Sequence, residues 1–265
     1  MLISSSKNPK LRHVIGLIRH AKNRNKSRQF VIENTRFLSD IVQYWPQQID
    51  YVLAHELDPA LQKRLEVQAI PILECERKLI SAASSLKTNQ GVLAVINKKE
   101  WPPESNCLKQ IIYCDRISNP SNLGAIIRNA VAFEIDAVIY SPDSVDPFHP
   151  DALRAMAGNV FQIPLLELSH TDLFAHVDPD SICHTLDISG KSPIGQLPFG
   201  KSNVFVFGSE GHGSQFDASQ WALNKQQKIR IPMSPQIDSL NVAVTSGIIL
   251  YQLYQAERLK EGEKG

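Results

Sequence analysis

Val204-Phe205-Val206-Phe207 runs into Gly208-Ser209-Glu210-Gly211-His212-Gly213, and Ile231-Pro232-Met233 then precedes Ser239-Leu240-Asn241-Val242. An apolar β-branched and aromatic run reads as a buried strand. Three glycines around one carboxylate let a ligand approach the main chain closely. The glycine order is G-x-x-G-x-G, with no lysine. A dinucleotide loop needs G-x-G-x-x-G and a phosphate loop needs G-x-x-x-x-G-K-[ST], so neither fits. Taken alone, the loop reads first as a tight turn between strand and helix. Ser239 and Asn241 are small polar side chains at the entrance of an apolar helix expected over Leu240–Leu259. They could cap that helix or position a hydroxyl or carboxylate. His212 has no second ligand at a useful spacing, and no metal is expected.

Upstream, strands are expected at Gln110–Cys114, Ala137–Tyr140, Gln162–Leu166, Ile182–Leu186, Asn203–Phe207 and Lys228–Ile231. Helices are expected at Asn122–Phe133, Pro150–Ala157 and Asp172–His176. Nearer the N-terminus the same alternation recurs on a smaller scale. Asn8-Pro9 reads as an N-cap followed by proline at the first helical position. Leu11, Val14, Ile15 and Ile18 then repeat at helical spacing. Strands at Gln29–Glu33, Ile49–Ala54, Ile70–Leu73 and Gly91–Ile96 interleave with helices at Phe37–Tyr44, Asp58–Val67 and Arg77–Ser84. This pattern argues for two α/β modules. Residues 1–97 form the first and residues 110–265 the second. The polar, Pro102-Pro103-bearing stretch 98–109 joins them as a linker.

The 265 residues suffice for two cores, and a hydrophobic fraction of 43% is that of an ordinary globular chain. Cys75, Cys107, Cys114 and Cys183 form no C-x-x-C pair, so buried reduced thiols are expected rather than zinc or disulfides. No window approaches a transmembrane length, and the N-terminus has no apolar signal region, so the cytoplasm is the expected compartment. The net charge of +1 conceals an asymmetry. Lys7, Lys10, Arg12, Arg19, Lys22, Arg24, Lys26 and Arg28 give residues 1–32 a charge of +8 with no acid, leaving −7 for the remainder. A basic arm ending in the polar, flexible-looking Lys22–Arg28 points to a phosphate-rich partner such as nucleic acid. A solvated surface helix is the plain alternative.

Another constellation follows the strand that ends near Asp115. Arg116-Ile117-Ser118-Asn119-Pro120-Ser121-Asn122 leads into a helix carrying Arg128, and Asn122 is placed to cap it. Arg128 lies among Ile126, Ile127, Val131 and Ala132. A guanidinium in apolar surroundings needs a partner. Two readings stay open: an internal ion pair with Asp115 or Glu134, or an anchor for phosphate or carboxylate.

Together these three constellations resemble, in order and spacing, the signature motifs of the SpoU (TrmH-like) RNA ribose 2′-O-methyltransferases of the SPOUT superfamily. The likeness covers Asp115 to about Tyr254. Asn122, Gly124 and Arg128 match the first motif, with Asn119 where aspartate is common. Gly208–Gly213 matches the second, and Ile231–Met233 with Ser239–Val242 the third, Thr245 replacing a small alanine. Ser6–Pro9, Phe30–Glu33 and Gln90–Ala94 resemble the ribosomal-protein-like substrate domain of rRNA-modifying members, with Asn34 in place of a glycine.

The resemblance implies a parallel-sheet C-terminal domain with a trefoil knot and a smaller N-terminal α/β domain. It implies S-adenosylmethionine as cofactor, against Leu186, Gly208, Glu210, Gly211, Ile231 and Leu240. It implies methylation of a ribose 2′-hydroxyl, with 23S rRNA favoured over tRNA by the extra domain. Asn122, Arg128, Glu210, Ser239 and Asn241 would carry the chemistry, and the chain would form a homodimer through its C-terminal domain. A catalytically idle RNA-binding protein of the same fold is the alternative. Val244, Ile248 and Tyr251 of the last helix form either the face of that homodimer or a core-facing stripe.

Overall fold

The computed structural model describes residues 2–101, 108–173, 176–186, 190, 192–193, 199–208, 226–237 and 239–262. The chain divides into two compact units, one holding residues 1–100 and 148–158, the other residues 101–147 and 159–265. Among the described residues no helix is long and apolar enough to cross a membrane.

The first unit contains α1 (Pro9–Arg19), α2 (Ala21–Ser27), β1 (Gln29–Ile32), α3 (Thr35–Tyr44), β2 (Ile49–Ala54), α4 (Pro59–Val67), β3 (Ile72–Glu74), α5 (Arg77–Ala83) and β4 (Val92–Asn97). The sheet order is β1-β4-β2-β3, antiparallel except for the β2–β3 pair. Helix starts follow side-chain chemistry. The Asn8 side chain accepts from the amides of Lys10 and Leu11, Asn34 from Phe37, and Asp58 from Ala60 and Leu61. Each satisfies donors that a helix N-terminus leaves unpaired. Leu11, Val14 and Leu17 then face Tyr51, Leu53, Ile80 and Val95 in the core.

Lys22–Arg28 is not the flexible loop expected from its polarity: residues 21–27 form α2. Arg24 is buried, and its Nη1 donates to the carbonyls of Leu17 at 2.7 Å and Ile18 at 3.2 Å. Those carbonyls belong to the last turn of α1, which has no further turn to pair with. The segment Phe148–Gly158, which sequence alternation placed in the second module, clusters with this unit. Phe148 lies 5.0 Å from Phe30 between ring centroids, and Lys98 sits 4.2 Å over its ring. The segment includes α7 (Pro150–Met156), whose Arg154 donates to Ser85.

The second unit contains β5 (Gln110–Asp115), α6 (Pro120–Ala132), β6 (Ala137–Tyr140), β7 (Leu165–Glu167), α8 (His170–Leu173), β8 (Ile182–Leu186), β9 (Ser192–Pro193), β10 (Asn203–Gly208), β11 (Gln226–Arg230) and α9 (Val242–Gly262). Its sheet runs β7-β6-β5-β10-β8-β11-β9, every pair parallel. All of β5 and nearly all of β10 is buried, as parallel strands covered on both faces require. The threading expected of the C-terminal segment turns on residues 209–225, which lie outside the described residues.

Candidate functional site

β5 and β10 meet where strand order reverses: β6 and β7 extend to one side, β8, β11 and β9 to the other. Open parallel sheets bind ligands in the crevice beyond the carboxyl ends of their strands at such a switch point. Asp115, the last residue of β5, is in register with Gly208, the last of β10.

From β5 the chain turns through residues 116–119 into α6. The cap is Asn119, not Asn122: its side chain accepts from the amides of Ser121 at 2.8 Å and Asn122 at 3.3 Å. Pro120 fixes this, because its ring suits the first helical position. Asn122 therefore falls inside the first turn and is buried. Its Oδ1 accepts from Asn241 Nδ2 at 3.0 Å. Asn241 in turn caps α9, accepting on Oδ1 from the amides of Ala243 at 2.9 Å and Val244 at 3.3 Å. Capping thus falls to Asn241 rather than Ser239. One amide side chain starts the last helix and ties it to the first motif. Asn129 reinforces the join, donating to Ala243 O and Ser246 Oγ, both at 2.9 Å.

Arg128 is exposed, which corrects the expectation of an apolar setting. Helical rotation puts it on the outer face of α6 with Ser121 and Ala132, while Leu123, Ile126, Ile127 and Ala130 face inward. Neither suggested partner holds it. Asp115 pairs with Arg116 at 3.4 Å and Glu134 with Arg258 at 3.7 Å.

Leu186, Gly208 and Ile231 lie at or just beyond the carboxyl ends of β8, β10 and β11, three neighbouring strands. All three, with Leu240, are partly exposed, and Ser239 is exposed. Glu210 and Gly211 lie outside the described residues. The described wall is aliphatic with main-chain polar groups and contributes no cationic side chain. That chemistry suits an adenine-bearing sulfonium and not a phosphate. Behind it, Gly190 lies so close to β11 that a Cβ there would meet Lys228 O at 2.7 Å.

Among the described residues no three His, Cys, Asp or Glu side chains gather as a metal ion would require. Burial pushes the Cys114 thiol up, and the Cys183 thiol to about 12, so neither is a thiolate nucleophile near neutral pH. Cys75 is also buried, and Cys107 lies outside the described residues. In the basic arm Lys7, Lys10, Arg12, Arg19, Lys22, Lys26 and Arg28 are exposed. Lys10 stacks 4.1 Å over Tyr51 and Arg28 pairs with Glu100 at 3.2 Å. Arg24 is removed from this set by its burial. Sequence reasoning missed the Asn122–Asn241 pair, which no local signal announces. It also missed the Asn119 cap, which Asn119-Pro120 did announce.

The model of the SpoU rRNA Methylase family matches residues 109–251, and that of the MRM3-like substrate binding domain matches residues 8–94. The chain is 26% identical to the 23S rRNA (guanosine(2553)-2′-O)-methyltransferase RlmP of Bacillus subtilis, covering 95% of this chain and 98% of that protein. It is 29% identical to the 23S rRNA (guanosine-2′-O-)-methyltransferase RlmB of Acinetobacter baylyi over 74% of this chain and 84% of that one. The fold is similar to the AdoMet-bound rRNA methyltransferase of Sinorhizobium meliloti, with a TM-score of 0.82 at 23% identity over 97% of this chain and 98% of that one.

Proposed function

The chain belongs to the SpoU rRNA methylase family, and from that premise we propose that it methylates a ribose 2′-hydroxyl of 23S rRNA. The observation that carries this reading is the Asn122–Asn241 hydrogen bond, which joins the first and third motifs beside the strand ends suited to a methyl donor. Leu186, Gly208, Glu210, Gly211, Ile231 and Leu240 would hold S-adenosylmethionine, which would supply an electrophilic sulfonium methyl. The attacking hydroxyl is a weak nucleophile until its proton is shared or removed. A guanidinium is a poor base, because it holds its proton too tightly to share it with a hydroxyl. The exposed fork of Arg128 instead grips an RNA phosphate and polarises the hydroxyl. Asn122 and Asn241 hold α6 and α9 in one arrangement, and Glu210 and Ser239 complete the hydrogen bonds around the ribose. Positioning then supplies much of the rate.

Residues 1–97 serve as the substrate-binding domain, residues 98–109 as linker and residues 110–265 as the catalytic domain, apart from Phe148–Gly158, which clusters with the first unit. The substrate-domain match over residues 8–94 supports that division. The basic arm, without Arg24, grips RNA. The protein works in the cytoplasm, where ribosomal RNA is found, as a homodimer through α9. Val244 and Tyr251 are 53% and 48% exposed, while Ser246, Ile249, Leu250 and Leu253 fill the core-facing side. Of the two readings of that stripe, this burial pattern favours the dimer face.

Two measurements test the proposal. Comparing methylated nucleotides of total RNA from a knockout strain and its parent should reveal one missing 2′-O-methyl nucleotide in 23S rRNA; an unchanged map refutes the function. Arg128→Lys should lower turnover by at least about tenfold with donor affinity unchanged, since lysine keeps the charge and loses the fork. Near-normal turnover would refute the role given to the guanidinium.

A further inference from the structure

Arg116 takes no part in the machinery above. It follows β5 directly, in left-handed backbone at φ 54°, which few non-glycine residues adopt. The surrounding chain is clamped in that shape. Arg116 N donates to Ser141 Oγ at 2.9 Å and Ile117 N to Ser144 Oγ at 3.1 Å. Ser141 N donates to Cys114 O at 2.9 Å, and Val145 N to Ile117 O at 2.8 Å. The side chain is thereby aimed by its backbone.

Its guanidinium is only half compensated. Nε lies 3.4 Å from Asp115 Oδ1, and the side chain retains 27% exposure. Nη2 is shielded from solvent and has no hydrogen-bond partner among the described residues. A desolvated cationic donor without an acceptor is unfavourable, and an anion at the exposed edge would offset that charge. The location says which anion. Asp115 is in register with Gly208, so Arg116 stands at the switch point on the β5 side. The aliphatic wall suited to the methyl donor belongs to β8, β10 and β11, on the other side. The acceptor strand is left to approach from the β5 side.

We propose that Arg116 is a phosphate anchor for the RNA acceptor, additional to Arg128, which fixes the strand at the carboxyl end of β5. This rests on the methyltransferase reading for the identity of the anion. Asp115 orients the fork by holding its Nε edge, and the exposed part of the side chain is left for the phosphate.

The test uses the full chain, an in vitro transcript of 23S rRNA, and S-adenosylmethionine titrated separately by calorimetry. Arg116→Gln should weaken transcript binding by about tenfold and make the slope of log Kd against log salt shallower by about 0.7–0.9, the signature of one lost phosphate contact. Donor affinity should not change. Arg116→Lys, which keeps the charge, should retain most of the slope; it also serves if the glutamine variant fails to fold. An unchanged slope in folded Arg116→Gln would overturn the proposal and leave Arg116 as a partner of Asp115 only. A tenfold loss of donor affinity with RNA binding intact would also overturn it, assigning the fork to the donor's carboxylate. Wild-type protein that binds both ligands without transferring methyl would sink the enzymatic reading while leaving the phosphate contact measurable.

Discussion

Replacing Asn241 by alanine removes an N-cap and an interhelical hydrogen bond together. Loss of the cap alone costs about 1 kcal/mol. Asn241→Ser separates the two roles, because serine still caps but cannot reach Asn122. The serine variant should unfold within a few degrees of wild type yet lose most of its turnover; the alanine variant should lose both. Thermal melts and single-turnover rates on the same preparations decide this. His184 offers a second test. It is buried, its Nε2 bonds Asn203 Oδ1 at 2.9 Å, and its ring stacks on Phe205. Burial lowers its pKa below the ordinary 6.5, and the Asn203 contact only partly opposes this. The unfolded chain therefore binds a proton that the folded chain refuses. Stability from this group is fully present above about pH 6.5 and is lost as pH falls below it. Urea midpoints should drop between pH 7 and pH 5, and His184→Gln should flatten that drop. At this scale the sequence was partly legible. Asn119-Pro120 announces its own cap, and the motif order picks out Asn122 and Asn241. Their contact was not legible, because residues 119 positions apart leave no local trace of meeting.

Helices that look alike in composition divide by what one side chain reaches. Lys22–Arg28 has no apolar period, so its polarity reads as loop; Arg24 makes it a helix by bonding the open end of α1. Arg24→Met should destabilise the first unit by about 2 kcal/mol, the range for buried charge-assisted bonds, with no change in the salt dependence of RNA binding. Lys22→Gln should do the reverse. Chemical denaturation paired with filter binding at several salt concentrations distinguishes them. Arg128 shows the opposite error. Its immediate neighbours are apolar, yet rotation about α6 carries it outward, so periodicity was the better guide than adjacency. Strands fared best, since β5 and β10 are nearly continuous apolar runs whose burial on both faces their composition dictates.

For the molecule as a whole, the exposed face of α9 and the basic arm make separable predictions. Tyr251→Glu should shift the mass measured by light scattering from dimer to monomer, at a small cost to the monomer from the lost edge contact with Phe133, since Tyr251 is otherwise half exposed. A dimer unchanged in mass would place the interface elsewhere. Division into two α/β modules was legible from alternation alone. The allegiance of Phe148–Gly158 was not, because it depends on rings meeting across distant chain positions. The Asn122–Asn241 contact also bears on how the enzyme is made. Synthesis runs from the N-terminus, and domains fold as they emerge. The sheet and α6 can assemble while α9 is still inside the exit tunnel, but the amide pair cannot. On the proposed reading, a nascent chain gains competence only after α9 has left the tunnel and the amide pair has closed.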